Sequence, residues 1–312
     1  MTAVLLLSAL GLLAMPAWAR PVGRRLRPAE WAKLCAVLLG IGAFLLETAL
    51  ALAGLSVTLR AAGMGAIAEL CQRLLGGFVL GGTVAGTGAA VAAVVLPILA
   101  GRAVVRARRT CRAVRVEPGV GWRDARSGHE VVVLPSDQLI ALSVEGKPAQ
   151  VILSSALVDT LPADQLAAVL RHEAAHLRHR HQRYLLLAST IGRSIGLLPY
   201  VRHSLVALRC ALERWADEEA ASGAAEGRAS VYGALLRVAE AVAMPEVAAF
   251  LTPATVVERI EALRTIPERR TELRWRVLVY LPVTLLGLTT TVALASTLGH
   301  VGLLDLAGLC LT

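Results

Sequence analysis

Residues His172-Glu173-Ala174-Ala175-His176, set in the apolar-periodic run Leu166, Val169, Leu170 and Leu177, decide how the chain is read. On a helix the two histidines fall at i and i+4 on one face and converge on a single ion. Zinc takes neutral imidazole, and a catalytic zinc uses three protein ligands and keeps one position open. Glu173 lies one residue round from His172, within reach of the water at that position, so the expected chemistry is metal-assisted hydrolysis. A plain charged helix is the alternative, since Arg178, His179, Arg180 and His181 follow directly. Against it stands the helix that the pattern predicts over 163–183. Pro162 and Asp164 suit its start, and neither Gly nor Pro interrupts it.

A third ligand is expected at Glu213, in Leu212-Glu213-Arg214-Trp215-Ala216-Asp217. Asp217, four residues on, shares the helix face of Glu213. It is expected to accept the second N–H of a ligating histidine and so fix its tautomer. Glu218 and Glu219 read as ordinary acidic helix surface.

Composition sets the surroundings of this site. The 312 residues are 56% hydrophobic but only 4% aromatic, and the mean hydropathy is +0.62. A soluble domain is not so apolar, and membrane helices are expected. Four candidate spans stand out: Val4 to Ala19, Leu34 to Leu59, Leu74 to Ala100, and Val277 to Leu298. Tyr184 to Leu208 is also apolar but carries Arg193, Pro199, Arg202 and His203, and reads as a core or interfacial segment of the domain bearing the site. Arginines crowd the first connection (Arg20, Arg24, Arg25, Arg27), the end of the third span and the approach to the fourth. The positive-inside rule then places 101–276 in the cytoplasm and both termini outside. The net charge of +9 sits mostly in these flanks. It is read as topology and contact with lipid headgroups, and no nucleic acid is expected as a partner. Ala17-Trp18-Ala19 resembles a signal-peptide cleavage site, yet no basic side chain precedes the apolar run, and a retained first span is expected. Glu47 reads as a packing or polar-contact site inside its span. Gly77, Gly81, Gly82, Gly86 and Gly88 read as small-residue helix packing. The five cysteines show no metal-ligand spacing.

The expected organisation is an N-terminal membrane region over 1–110, a domain bearing the site over 111–272, and a C-terminal span with a short tail over 273–312. Short apolar runs at 130–134, 139–144 and 150–153, separated by turn residues, predict a small antiparallel sheet ahead of the helix carrying His172. An exposed edge of that sheet would hold a substrate backbone by strand addition. Further helices are expected over 204–222, 228–243 and 254–264. The fold class is therefore mainly α, about four transmembrane helices with a cytosolic α+β domain.

From Val151 through His176, and again at Glu213-x-x-x-Asp217, the chain resembles the integral-membrane zinc metallopeptidases of the BlaR/MecR type and of the HtpX and CAAX-prenyl-protease type. The resemblance covers roughly residues 130–265, extends to Arg180-His181, and implies a zincin-like fold. It also implies that His172, His176 and Glu213 hold Zn2+, that Glu173 is the general base, and that a protein or peptide is the substrate. Thr252-Pro253 with Glu258-Arg259-Ile260 is similar to a downstream His-Pro…Arg-Ile motif, with Thr252 in place of the histidine. Arg259 is then either a support of the site or a helix-surface arginine. His203 and Arg259 are the candidates for an oxyanion donor. Only residues 303–312 follow the fourth span, so no appended sensor domain is expected. A non-catalytic zincin-like membrane scaffold or regulator is the competing reading, and the intact set of His172, Glu173, His176 and Glu213 argues against it. The sequence leaves the oligomeric state open.

Overall fold

The computed structural model describes residues 2–74, 83–114, 122–123, 128–221, 225–242 and 253–264. Five helices come first: α1 (Thr2–Trp18), α2 (Arg20–Gly23), α3 (Pro28–Ala61), α4 (Gly65–Leu74) and α5 (Thr83–Val114). Pro28 opens α3 where its missing N–H is not needed, and Glu30 in the first turn and Arg60 in the last complement the helix dipole. Among the described residues two helices are long and apolar enough to cross a membrane, Pro28–Ala61 and Val84–Thr110, while Val4–Trp18 is shorter. The expected fourth span, Val277 to Leu298, lies outside the described residues, as does Cys310. The expected third span differs at its start: α4 ends at Leu74 and α5 begins at Thr83, with residues 75–82 outside the described set.

Helices α3 and α5 approach closely where their side chains are smallest. A Cβ added at Gly54 would lie 2.6 Å from the Ala90 backbone, and one at Gly86 would lie 2.8 Å from Val57. Gly88 faces open space, and the other glycines of that run, Gly77, Gly81 and Gly82, fall outside the described residues. The outer face of α5 remains apolar and uncovered, with Val84 86% exposed and Val91, Val94 and Ile98 each over half exposed.

The next segment begins with a small sheet, β1 (Trp122–Arg123), β2 (Glu130–Leu134), β3 (Ala141–Val144) and β4 (Gln150–Ser154), in the order β1-β2-β4-β3. It is mixed, not antiparallel as the runs predicted, because β4 inserts between β2 and β3 and runs parallel to β2. The cause is the loop 135–140, which arches over the end of β4. Ser154 Oγ accepts from Ile140 N at 3.0 Å, and Ser155 Oγ accepts from Ser136 N at 3.2 Å. Turn residues mark where strands end; they do not mark which strands become neighbours. Val131, Val151 and Leu153 face one side and form a core with Leu177 and with Leu166, Val169 and Leu170 of the helix that follows.

Ser154 then caps α6 (Ser155–Thr160) through Leu157 N at 3.2 Å. Helix α7 (Ala163–Arg178) carries the His-Glu-x-x-His stretch. The predicted continuous helix over 163–183 is broken. Arg180 adopts φ 53°, in the left-handed region, and α8 (His181–Ile195) starts afresh in a new direction. Periodicity alone does not reveal such a break, since no Gly or Pro marks it. Helix α9 (Pro199–Ala221) begins five residues earlier than its predicted start at 204, taking in the end of the apolar run. α10 (Ala225–Val242) and α11 (Pro253–Arg264) complete the described chain.

Helices α8 and α9 do not stand apart from the N-terminal bundle. Ala188, Ile191, Val201, Leu205, Leu208 and Leu212 share one buried cluster with Leu13 of α1 and with Trp31, Leu38 and Leu39 of α3. Ser204 Oγ accepts from Ala17 N at 3.1 Å at the same junction.

Candidate metal centre

Helix α7 turns its apolar face to the sheet and its histidine face to α9. The two helices are also joined by Arg171 Nε, beside His172, donating to the Ala220 carbonyl near the end of α9 at 2.8 Å. This crossing brings Glu213 of α9 over the histidine pair. His172 Nε2 and His176 Nε2 lie 3.1 Å apart, and Glu213 places one carboxylate oxygen 3.5 Å from the first and the other 3.6 Å from the second. Among the described residues these three cluster with the reach to hold one ion, their ligand atoms all within 4.8 Å of one another. Ligands about 2.0–2.1 Å from a tetrahedral zinc stand about 3.3 Å from each other. The three observed separations bracket that value, and two imidazoles with one carboxylate form a donor set that zinc accepts. The residues present therefore fit the ion.

Each ligand is held from behind. His172 Nδ1 donates to Asp217 Oδ1 at 3.0 Å, which leaves its Nε2 lone pair free to face the cluster. Asp217, 2% exposed, accepts Arg259 Nε at 2.8 Å and Arg259 Nη2 at 2.7 Å. The third nitrogen of Arg259 stands 3.1 Å from Glu213. Arg259 is thus buried among both carboxylates of α9 and is no surface residue. His176 rests on a residue that spacing arguments overlooked. Its Nδ1 is 2.8 Å from Nδ1 of the fully buried His181. If His176 turns Nε2 to the ion it carries the proton on Nδ1 and donates it to His181. His181 then bears its own proton on Nε2, an atom with no hydrogen-bond partner among the described residues. Trp215 packs against His181 and His179, its ring 4.8 Å from that of the first and 4.5 Å from that of the second. Lys33 of α3 reaches across, its Nζ 5.3 Å from the Trp215 ring.

The electrostatics follow from this burial. Burial works to depress His172, but the Asp217 and Glu213 carboxylates outweigh it and raise the imidazole to about 10. Burial works to raise Glu213 and Asp217. The Arg259 guanidinium and the histidines overcome that, holding Glu213 well below the usual carboxylate range and Asp217 at about 2. His176 is depressed by burial. His181 is pushed down to about 3, chiefly by burial and then by the neighbouring His176 and His179. Without an ion, the cluster is arranged as two carboxylates around a His172 imidazolium.

Glu173 is buried on α7 between the two histidines, and its charge acts on His176. His203 is not part of the cluster. It is exposed in the first turn of α9, its Nδ1 bonded to the Pro199 carbonyl at 2.7 Å. Ten residues separate it from Glu213, about 15 Å along a helix axis. Cys210 is buried, and burial pushes its thiol up to about 12, so it brings no thiolate to the site. The signal for His181 was present in the sequence only as the Arg180-His181 pair. The signal for Trp215 was its place two residues after Glu213.

Residues 123–266 match the family model for peptidase family M48. This match supports, over the same segment, the resemblance to zinc metallopeptidases read from the motifs. No curated protein and no solved structure matched the chain.

Proposed function

We propose that this peptidase-family segment makes the chain a membrane-embedded zinc endopeptidase that hydrolyses peptide bonds of membrane-associated or cytosolic proteins. The observation that carries the proposal is the convergence of His172 Nε2, His176 Nε2 and the Glu213 carboxylate at zinc-ligand spacing, with Glu173 on the same turn of helix. Bound there, zinc supplies Lewis acidity, lowering the pKa of water towards neutrality and polarising a carbonyl. Glu173 accepts the proton of the attacking water and delivers it to the leaving amine. Asp217 and Arg259 keep His172 and Glu213 in register, and His181 does the same for His176. Burial of His176, Asp217 and Arg259 strengthens the interactions that hold the cluster in place.

Strand β3 stands at an edge of the sheet among the described residues and packs beside α7. It is the place for an extended substrate segment to add as a strand. The apolar, uncovered face of α5 and the apolar length of α3 support a multi-pass membrane location. The arginine-rich connections support a cytoplasmic site with the termini outside.

The test is Glu173→Gln in the full-length protein. It is expected to keep stoichiometric zinc and to lose proteolysis, by 10²-fold or more if the proton transfer is worth what general bases usually contribute, about 10²–10⁴. A variant that cuts as fast as the wild type refutes the mechanism.

A further inference from the structure

We propose that Glu258 is a positioning residue of the metal centre, fastening α11 to the turn between α1 and α3 and so holding Arg259 against Asp217 and Glu213. The proposal rests on the metallopeptidase reading above. Glu258 is 6% exposed. Its Oε2 accepts Arg20 Nε at 3.0 Å, Arg20 Nη2 at 2.6 Å and Arg24 Nη2 at 3.2 Å. Its Oε1 lies 3.9 Å from Arg214 Nη1. Arg214, next to Glu213 on α9, also donates to the Arg24 carbonyl at 3.1 Å. Arg259 follows Glu258 directly and makes the contacts with Asp217 and Glu213 described above.

Two neighbouring residues of α11 thus face two different charge clusters, one on the N-terminal bundle and one in the site. Helix α11 has 12 residues, and a helix of about that length is marginal in water by itself. Its placement must come from tertiary contacts: Leu263 and Ile260 at a small apolar cluster, the bonds of Ala262 and Arg264 to α10, Arg259 in the site, and the Glu258 ion pairs, which are the ones that tie it to the N-terminal bundle. A buried carboxylate is tolerated only when paired, so Glu258 holds α11 to one position relative to Arg20 and Arg24. The paired N–H bonds from Arg259 to Asp217 depend on alignment of two planar groups, and a small shift of α11 would break them. Arg20 and Arg24, read from the sequence only as markers of membrane orientation, acquire a second role here.

The experiment is a double-mutant cycle on the full-length protein in detergent. It uses wild type, Glu258→Gln, Arg259→Lys and the double variant, with zinc affinity measured by chelator competition and ligand geometry by the visible spectrum of the cobalt-substituted protein. Glu258→Gln is expected to weaken zinc about tenfold and to alter the cobalt spectrum, as losses behind metal ligands do. The double variant is expected to be no weaker than Arg259→Lys alone, because Glu258 acts through Arg259. Arg20→Lys keeps the charge but loses the paired donors. It is expected to show the same effect in milder form, and it serves should Glu258→Gln fail to fold. Wild-type affinity in Glu258→Gln and Arg20→Lys, or strictly additive losses in the cycle, overturns the proposal alone. A wild type that binds no zinc overturns the metal-site reading and the proposal with it.

Discussion

Replacing Asp217 with asparagine keeps the shape of a side chain that three donors share and removes its charge. Asp217 accepts two N–H bonds from Arg259 and one from His172 Nδ1, and it is almost fully buried. Removing one partner of a buried ion pair costs about 3–5 kcal/mol. The lower end applies, because Glu213 remains 3.1 Å from Arg259. A loss of about 3 kcal/mol in a domain of about 150–250 residues lowers Tm by about 6–12 °C, at 2–4 °C per kcal/mol. Zinc binding should weaken as well, by about 10–100-fold, since the amide no longer fixes the His172 tautomer or adds to its basicity. The assay is a melt of the metal-free protein in detergent followed by circular dichroism, beside a chelator competition with zinc. An Asp217→Asn variant that melts with the wild type and binds zinc equally well refutes the claim that this carboxylate organises the site.

Zinc binding should be proton-linked. His172 rises from 6.5 to about 10 in the ion-free site, so at neutral pH it carries a proton that zinc must displace. Apparent affinity should therefore climb roughly tenfold per pH unit through neutrality, with about one proton released, measurable by calorimetry in buffers of different ionisation enthalpy. The sign for stability is opposite. A raised imidazole contributes folding free energy that is complete below 6.5 and lost as pH climbs to about 10, so the ion-free protein should melt earlier at pH 9 than at pH 6.5. Buried His181, depressed to about 3, works the other way in acid: its share is lost as pH falls below 6.5. In the helix bundle, Gly54→Val places a Cβ 2.6 Å from the Ala90 backbone. It should destabilise the protein by about 1–3 kcal/mol, whereas Gly88→Val, in open space, should not; paired melts check both.

The candidate cluster was more legible in the sequence than the frame around it. His172, His176 and Glu213 were legible because metal chemistry restricts residue type and helical geometry restricts spacing. Asp217 followed from the same face of α9. Arg259 stayed ambiguous because an arginine on a short helix carries no local sign of what lies opposite. His181 was missed because its role depends on the left-handed turn at Arg180, a feature of tertiary packing that composition does not encode. The mixed order of the sheet was illegible for a similar reason: β2 and β3 are consecutive in the chain, and only the arch at 135–140 separates them.

The buried cluster that joins Leu13, Leu38 and Leu39 to Ile191, Leu208 and Leu212 makes the half of this protein that carries the candidate site non-portable. A cut at the nominal boundary near residue 110 would strip Leu208 and Leu212 of their apolar neighbours, on the same helix as Glu213 and up to the residue beside it. It would also leave Arg214 without the Arg24 carbonyl it now bonds. The N-terminal helices are therefore part of the same packed body as the candidate site. They pack directly against the helix that carries Glu213, so an insertion, deletion or tilt among them should act on the candidate site itself.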